Sequence, residues 1–180
     1  MEDKILLTPQ KLSIILQRLA FQLYENHGDL SNTVIIGLQP RGVHFGKVVW
    51  EKVKEISGND KIPFGELDTT FHRDDFRRGE PLIPSTNRID FLIEGKNVVL
   101  VDDVLYTGRN VRAAMDALTA YGRPHRVELM TLIDRRYSRE LPIEPDYVGS
   151  QVDTRANDKV KVFFDPINQN NQVLLITGNE

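Results

Sequence analysis

A chain of 180 residues with 40% hydrophobic content carries enough apolar material for one α/β domain spanning 1–180, and too little for two of ordinary size. The absence of cysteine excludes disulfides, thiolate metal sites and thiol nucleophiles, so any metal is expected to be a hard cation held by oxygen, a description that magnesium fits. A formal net charge of −3 gives no global attraction to nucleic acid, no apolar run reaches the roughly 20 residues of a membrane helix, and the acidic start MEDKILLTPQ is unlike a secretory signal; a cytoplasmic protein is expected.

In chain order, Thr8-Pro9 reads as an N-cap followed by proline at the first helical position. Leu12, Ile15, Leu16, Leu19, Ala20 and Leu23 then recur at helical spacing, which predicts an amphipathic helix ending near His27-Gly28. Val34 to Leu38 is a short apolar run stopped by Pro40, the pattern of a buried parallel strand, and a helix follows from about Gly42 to Ile56. Phe64 to Phe71 reads as a further strand. Arg73 to Asp90 is charged, contains proline and lacks an apolar period, the composition of a mobile loop. Val98 to Val101 is a wholly apolar strand, Thr107 to Tyr121 a helix closed by Gly122 and Pro124, and Val127 to Ile133 a strand again. Asp146 to Val148, Lys159 to Phe164 and Val173 to Ile176 look like short strands joined by polar turns, a small C-terminal accessory layer. The alternation predicts an α/β fold with a mainly parallel twisted sheet, helices on both faces, and ligands at the carboxyl ends of the strands.

The segment that carries chemistry runs from Val98 through Asp102, Asp103, Val104, Leu105, Tyr106, Thr107, Gly108 and Arg109 to Asn110: a buried strand, adjacent carboxylates, a tight turn and a helix start. Backbone N–H groups at a helix N-terminus, with Gly108 permitting close approach and the Thr107 hydroxyl at hand, make an anion cradle suited to a phosphate monoester. Carboxylates at the strand end accept hydrogen bonds from a vicinal diol or help to place magnesium. Phosphate, diol and metal together describe 5-phosphoribosyl-1-pyrophosphate (PRPP). The plainer alternative makes Asp102 and Asp103 surface residues after a core strand and Thr107 a helix cap. A Walker loop is excluded by the missing Gly-Lys-Ser/Thr ending, and a dinucleotide fingerprint by the missing glycine triplet.

This constellation resembles the PRPP signature of type I phosphoribosyltransferases. Gly37-Leu38-Gln39-Pro40-Arg41-Gly42 resembles the pyrophosphate loop, and Gly65 to Asp75 the flexible catalytic loop, of the PyrR family of pyrimidine-operon regulators with uracil phosphoribosyltransferase activity. Val111 to Leu118, Gly122-Arg123-Pro124, Asp134-Arg135 and Arg139 to Ile143 follow the same family pattern, so the likeness covers nearly the whole chain. Three departures stand out. Asn110 replaces the usual threonine, losing a hydroxyl from the phosphate cradle and offering an amide N–H. Pro40 replaces another threonine. Arg136-Tyr137-Ser138 is one residue longer than its counterpart. The family's cis peptide in the pyrophosphate loop falls between Gln39 and Pro40.

The resemblance implies transfer of the phosphoribosyl group from PRPP to uracil, giving UMP and pyrophosphate, with magnesium as cofactor and a homo-oligomeric assembly. Asp102, Asp103 and Arg73 are then the candidate catalytic residues, and Arg41 with residues 102–110 the PRPP site. Gln39 to Gly42 bind pyrophosphate, Asp134 and Arg135 border the base pocket, and Asp103 and Asp134 are candidate metal ligands. Arg41 and Arg73 would otherwise be solvated charges, and Asp134 a structural turn. His27, His44 and His125 have no metal-ligand spacing and bland roles, whereas His72 adjoins the catalytic loop; Trp50 reads as packing or interface, and Val160, Val162 and Phe164 as an inward strand face. A purine base and an RNA-binding nucleotide sensor with little turnover are the rival functions. RNA, a partner within the family, is doubted here: Ser13, Ile14, Phe21, Glu144 and Ser150 stand where the regulators carry basic residues or histidine, although Arg18 and Arg139 remain and Arg136 and Arg155 offer a shifted patch.

Overall fold

The computed structural model describes residues 3–74, 86–155, 157–164 and 171–178. Chain order is β1 (Asp3–Leu7), α1 (Pro9–His27), β2 (Thr33–Leu38), α2 (Arg41–Ser57), β3 (Phe64–Leu67), β4 (Asn97–Leu105), α3 (Arg109–Leu118), β5 (Arg126–Arg136), β6 (Tyr147–Asp153), β7 (Lys159–Phe163) and β8 (Gln172–Ile176), with short 3-10 helices at Thr70–His72 and Thr119–Tyr121. Strands β3-β2-β4-β5-β6 form a parallel sheet in that order. A second, antiparallel sheet has the order β1-β8-β7.

Because side chains alternate along a strand, each central strand feeds two cores. Ile35, Val99, Val101 and Met130 face α1, α2 and the small sheet, in a cluster with Leu16, Leu19, Phe45 and Val49. Val34, Ile36, Val98 and Leu100 face α3, in a cluster with Val111, Ala114 and Leu118. Val160 lies in the first cluster with Val162 and Phe164 against it, and the Phe164 ring stacks on Phe45 at 6.3 Å, the inward face expected of that alternation. Trp50 is a packing residue: Nε1 donates to the Ile62 carbonyl at 2.9 Å and the ring lies 5.5 Å from Phe64. His27 closes the amino edge of the sheet, its Nε2 2.7 Å from Glu128 Oε2.

α1 starts as expected, Thr8 Oγ1 accepting from the Lys11 N–H and Gly28 following its last residue. Four boundaries differ from the sequence reading. The strand expected to reach Phe71 stops at Leu67, because Asp68 Oδ1 accepts from Thr70 N at 2.9 Å and Thr70 Oγ1 at 2.6 Å, a side-chain turn that ends the ladder. The strand expected to end at Val101 continues to Leu105, since its ladder with β5 runs on to Asp134 after the pairing with β2 stops at Val101, and its acidic residues find local hydrogen bonds. The helix expected from Thr107 begins at Arg109, after Gly108 at φ 90°, and its last turn is 3-10. Finally, residues 147–153 are the fifth parallel strand and not part of the accessory layer, which β1 completes instead. The expected loop at 73–90 falls largely on 75–85, outside the described residues; Glu66 and Arg88 exchange backbone hydrogen bonds across its ends. No helix among the described residues is long and apolar enough to cross a membrane.

Candidate functional site

The carboxyl ends of β2 and β4 lie side by side, Gly37 opposite Val101, which brings the Gln39–Gly42 turn against Asp102. The approach is close: a Cβ on Gly42 would sit 2.4 Å from the Val101 carbonyl oxygen and 3.0 Å from Asp102 Cα, so only glycine lets the start of α2 rest on β4. The Gln39-Pro40 peptide is cis, as the resemblance implies. Gln39 N–H donates to the Leu67 carbonyl at 2.9 Å and its Nε2 to the Thr86 carbonyl at 2.9 Å, tying this turn to both ends of the loop that follows β3.

Asp102 and Asp103 are buried, at 7% and 6% exposure, although charged side chains rarely are. Asp102 Oδ1 accepts from Asp103 N at 3.0 Å, Asp102 Oδ2 from Asn110 Nδ2 at 2.9 Å, and Asp103 Oδ1 from Val104 N at 2.9 Å. Asp103 Oδ2 is buried with no hydrogen-bond partner among the described residues. Burial, and then the neighbouring Asp103 charge, pushes the Asp102 carboxyl up to about 7. Burial also raises Asp103, opposed mainly by the Arg41 guanidinium. An orphaned buried oxygen beside a cation is a site prepared for a donor that arrives with a ligand. Arg41, His44 and Asp103 line a cleft of about 230 Å³ whose opposite wall is Val162, Phe163 and Phe164.

The cradle is narrower than the sequence implied. Val104 and Leu105 belong to β4, and their N–H groups are already donated, to Asp103 Oδ1 at 2.9 Å and to Thr131 Oγ1 at 3.2 Å. The turn itself is Tyr106 to Gly108, with Arg109 N–H reaching Thr107 Oγ1 at 3.4 Å. Asn110 also departs from expectation: its amide points at Asp102 and at Thr69, whose hydroxyl donates to Asn110 Oδ1 at 2.7 Å, and the cradle is left with backbone donors and the Thr107 hydroxyl.

Asp134 and Arg135 end β5 beside this turn. Asp134 is paired with Arg139 and accepts from Gln151 Nε2 at 3.3 Å, so both of its oxygens are engaged and the structural-turn alternative fits its geometry best. Arg135 donates to Thr154 Oγ1 at 2.9 Å and lies 3.9 Å over the Tyr106 ring, backing the turn from inside the fold. Arg139, absent from the candidate site residues, is a strap: it donates to the carbonyls of Tyr106 at 2.5 Å, Arg135 at 3.3 Å and Ile143 at 2.9 Å, while Glu140 and Leu141 N–H groups reach the Thr107 carbonyl at 3.0 and 3.3 Å. His44, and the specific role of Thr69 within the Gly65 to Asp75 loop, have no signal in the sequence, because each meets the site only through tertiary contacts. Tyr137, within the stretch Arg136-Tyr137-Ser138, sits outside the strap with φ 62° and 86% exposure. Arg73 follows the 3-10 turn at Thr70–His72, and the next residue, Asp74, pairs with Arg109 at 2.8 Å and Arg112 at 3.5 Å.

A model of the phosphoribosyl transferase domain matches residues 4–166. The protein named Bifunctional protein PyrR from Gloeothece citriformis is 43% identical over 171 residues, covering 95% of this chain and 96% of that one. Its namesake from Desulfosudis oleivorans is 44% identical over 170 residues, 93% of each. Among solved structures, the hypoxanthine phosphoribosyltransferase of Trypanosoma cruzi matches with a TM-score of 0.71 across 98% of this chain and 97% of that one, at 15% identity, a likeness of fold alone. Since both the domain match and the identity to these relatives run through the residues that build the strand-end site, the chain belongs to the PyrR family of type I phosphoribosyltransferase-fold proteins.

Proposed function

We propose that this protein transfers the 5-phosphoribosyl group from PRPP to uracil, giving UMP and pyrophosphate. The observation that carries the reading is the buried acidic pair at the end of β4, with Asp103 Oδ2 unpartnered among the described residues, directly before a glycine-opened helix N-terminus. The 5′-phosphate rests on the backbone of Tyr106 to Asn110, where the donors of the first turn and the positive end of α3 converge. Asp102 and Asp103 accept the ribose hydroxyls. Departure of pyrophosphate leaves positive charge on the ribose, so stabilisation falls to groups that neutralise the leaving group: Arg41 at the start of α2, and Arg73 at the loop root. Uracil as the acceptor rests on the likeness to pyrimidine-operon regulators.

Among the described residues no cluster of three or more histidine or acidic side chains is placed to hold a metal. Magnesium does not require one, because it keeps waters and takes substrate oxygens with one or two carboxylates, and the orphaned Asp103 Oδ2 fits that role through a bound water. When bound it neutralises pyrophosphate charge. Residence in the cytoplasm and assembly into a homo-oligomer belong to the same reading; size-exclusion chromatography with light scattering checks the assembly.

The deciding experiment offers PRPP and magnesium with uracil, hypoxanthine or orotate and reads pyrophosphate release. Uracil-dependent release is expected, lowered tenfold or more by Asp103→Asn without loss of the fold, the order of effect for a group that positions the reacting centre. Release with hypoxanthine alone would establish a purine enzyme, and unchanged activity of the variant would remove Asp103 from the mechanism. A nucleotide-sensing RNA-binding role rests only on the likeness to pyrimidine-operon regulators and stands as the rival to this reading.

A further inference from the structure

Asn110 lies on the first turn of α3, yet its side chain joins groups from two other elements. Nδ2 donates to Asp102 Oδ2 at 2.9 Å, and Oδ1 accepts from Thr69 Oγ1 at 2.7 Å. Both partners are buried, Thr69 at 3% and Asp102 at 7% exposure. With Asp102 ionised, as it is above about pH 7, the direction of the chain follows from chemistry: an amide oxygen facing a carboxylate would be repelled, so the N–H side faces Asp102 and the threonine hydroxyl supplies its proton to Oδ1. Out of water, each bond polarises the next.

Thr69 is the last residue before the 3-10 turn at Thr70–His72, whose own bonds include His72 N–H to the Thr69 carbonyl at 2.9 Å. Whatever fixes Thr69 therefore fixes the root of the loop that carries Arg73. A second tie, Asp74 to Arg109 at 2.8 Å, runs between the same two elements, but it is part-exposed and weakened by solvent and salt. The buried chain through Asn110 is the one that ionic strength leaves intact.

We propose that Asn110 is a positioning residue that locks the posture of the loop root to the orientation of the Asp102 carboxylate, so that ordering either one orders the other. The proposal rests on the reading of the strand end as a PRPP site, because Asp102 is then the group that meets ribose. Seating of the ribose hydroxyls on Asp102 steadies its Oδ2 toward Asn110, and through Thr69 the 3-10 turn and Arg73. Displacement of the loop root has the reverse effect: it frees the Asn110 amide to rotate and leaves Asp102 held on one side only.

The test is hydrogen–deuterium exchange on the full chain, first without ligand and then with PRPP and magnesium. Asn110→Ala and Thr69→Val are each expected to speed exchange at residues 70–73 about tenfold in the free protein, the effect of losing one net hydrogen bond, while Thr69→Ser retains protection. Because both changes cut the same chain, the double variant should exchange no faster than the faster single variant. With PRPP and magnesium, protection at 70–73 should rise in the wild type and not in Asn110→Ala, and kcat should fall more than KM for PRPP rises. Unchanged exchange in the single variants, additive effects in the double variant, or equal protection by PRPP with and without the amide would overturn the proposal. Failure of the wild type to bind PRPP would instead overturn the reading of the site, and with it the coupling to ribose; the ligand-free exchange keeps the two failures apart.

Discussion

The surroundings of Asp102 alter its chemistry. Burial, with the Asp103 charge second, lifts its carboxyl from the ordinary 3.8 to about 7. Below about pH 4 folded and unfolded chains both hold this proton. As pH rises from there toward 7 the unfolded chain releases it and the folded chain does not, so unfolding is favoured increasingly through that window. Asparagine at this position has no proton to release, and its amide can be met if Asn110 turns over. The stability of Asp102→Asn relative to wild type should therefore grow from pH 4 to 8 and level off above that. Urea unfolding with EDTA present measures it, and a pH-independent difference would contradict the assignment.

Among the elements, the junction of α2 with the ends of β2 and β4 is tight. A Gly42 Cβ would lie 2.4 Å from a backbone oxygen, and a Gly37 Cβ 2.7 Å from Val43 Cα, so neither collision can be relieved by turning a side chain. Gly42→Ala must push the helix start away from the strand. The expected outcome is a loss of about 1–3 kcal/mol in stability, the range for overpacking, together with reduced pyrophosphate release as Arg41 moves off Asp103. Chemical denaturation and the base panel check the two effects, and an alanine variant of wild-type stability would count against this close approach. The strap at Arg139 is a comparable device on the other side of the site, where one guanidinium serves carbonyls of the β4 turn, the end of β5 and the strap itself.

Charge decides how the whole molecule meets RNA. The chain carries a formal net charge of −3. The arginines that would form a binding face are largely engaged: Arg18 donates to the carbonyls of Val148 and Gly149 at 3.0 and 2.6 Å, Arg136 pairs with Asp153 through bonds of 2.7 and 2.9 Å, and Arg139 is the strap. On α1, Ile14 and Phe21 are exposed at 69% and 43%, where a phosphate-binding surface calls for cations. RNA binding is therefore expected to be weak. Gel-shift titration against the family's stem-loop RNA with UMP present, at low and then physiological salt, checks it, and submicromolar specific binding at physiological salt would overturn the expectation.

Features legible from residues alone are those whose physics is local. The cap at Thr8, the apolar runs of β2 and β4, and the closeness of Asp102 and Asp103 to the turn at Gly108 depend on neighbours a few positions away. β6 reads as an accessory strand for a physical reason: as the edge of a parallel sheet it is buried on one side only, so Tyr147–Asp153 alternates as an accessory strand does. Ties that cross between elements had no local signature. Thr69 and Asn110 are 41 positions apart, and Arg139 Nη1 reaches back 33 positions to Tyr106. Folding decides which distant donor meets each buried acceptor, because a hydrogen bond needs a few tenths of an ångström of placement that no residue pattern specifies. Local chemistry chose the groups that gather at the strand ends; packing chose the partners that hold them.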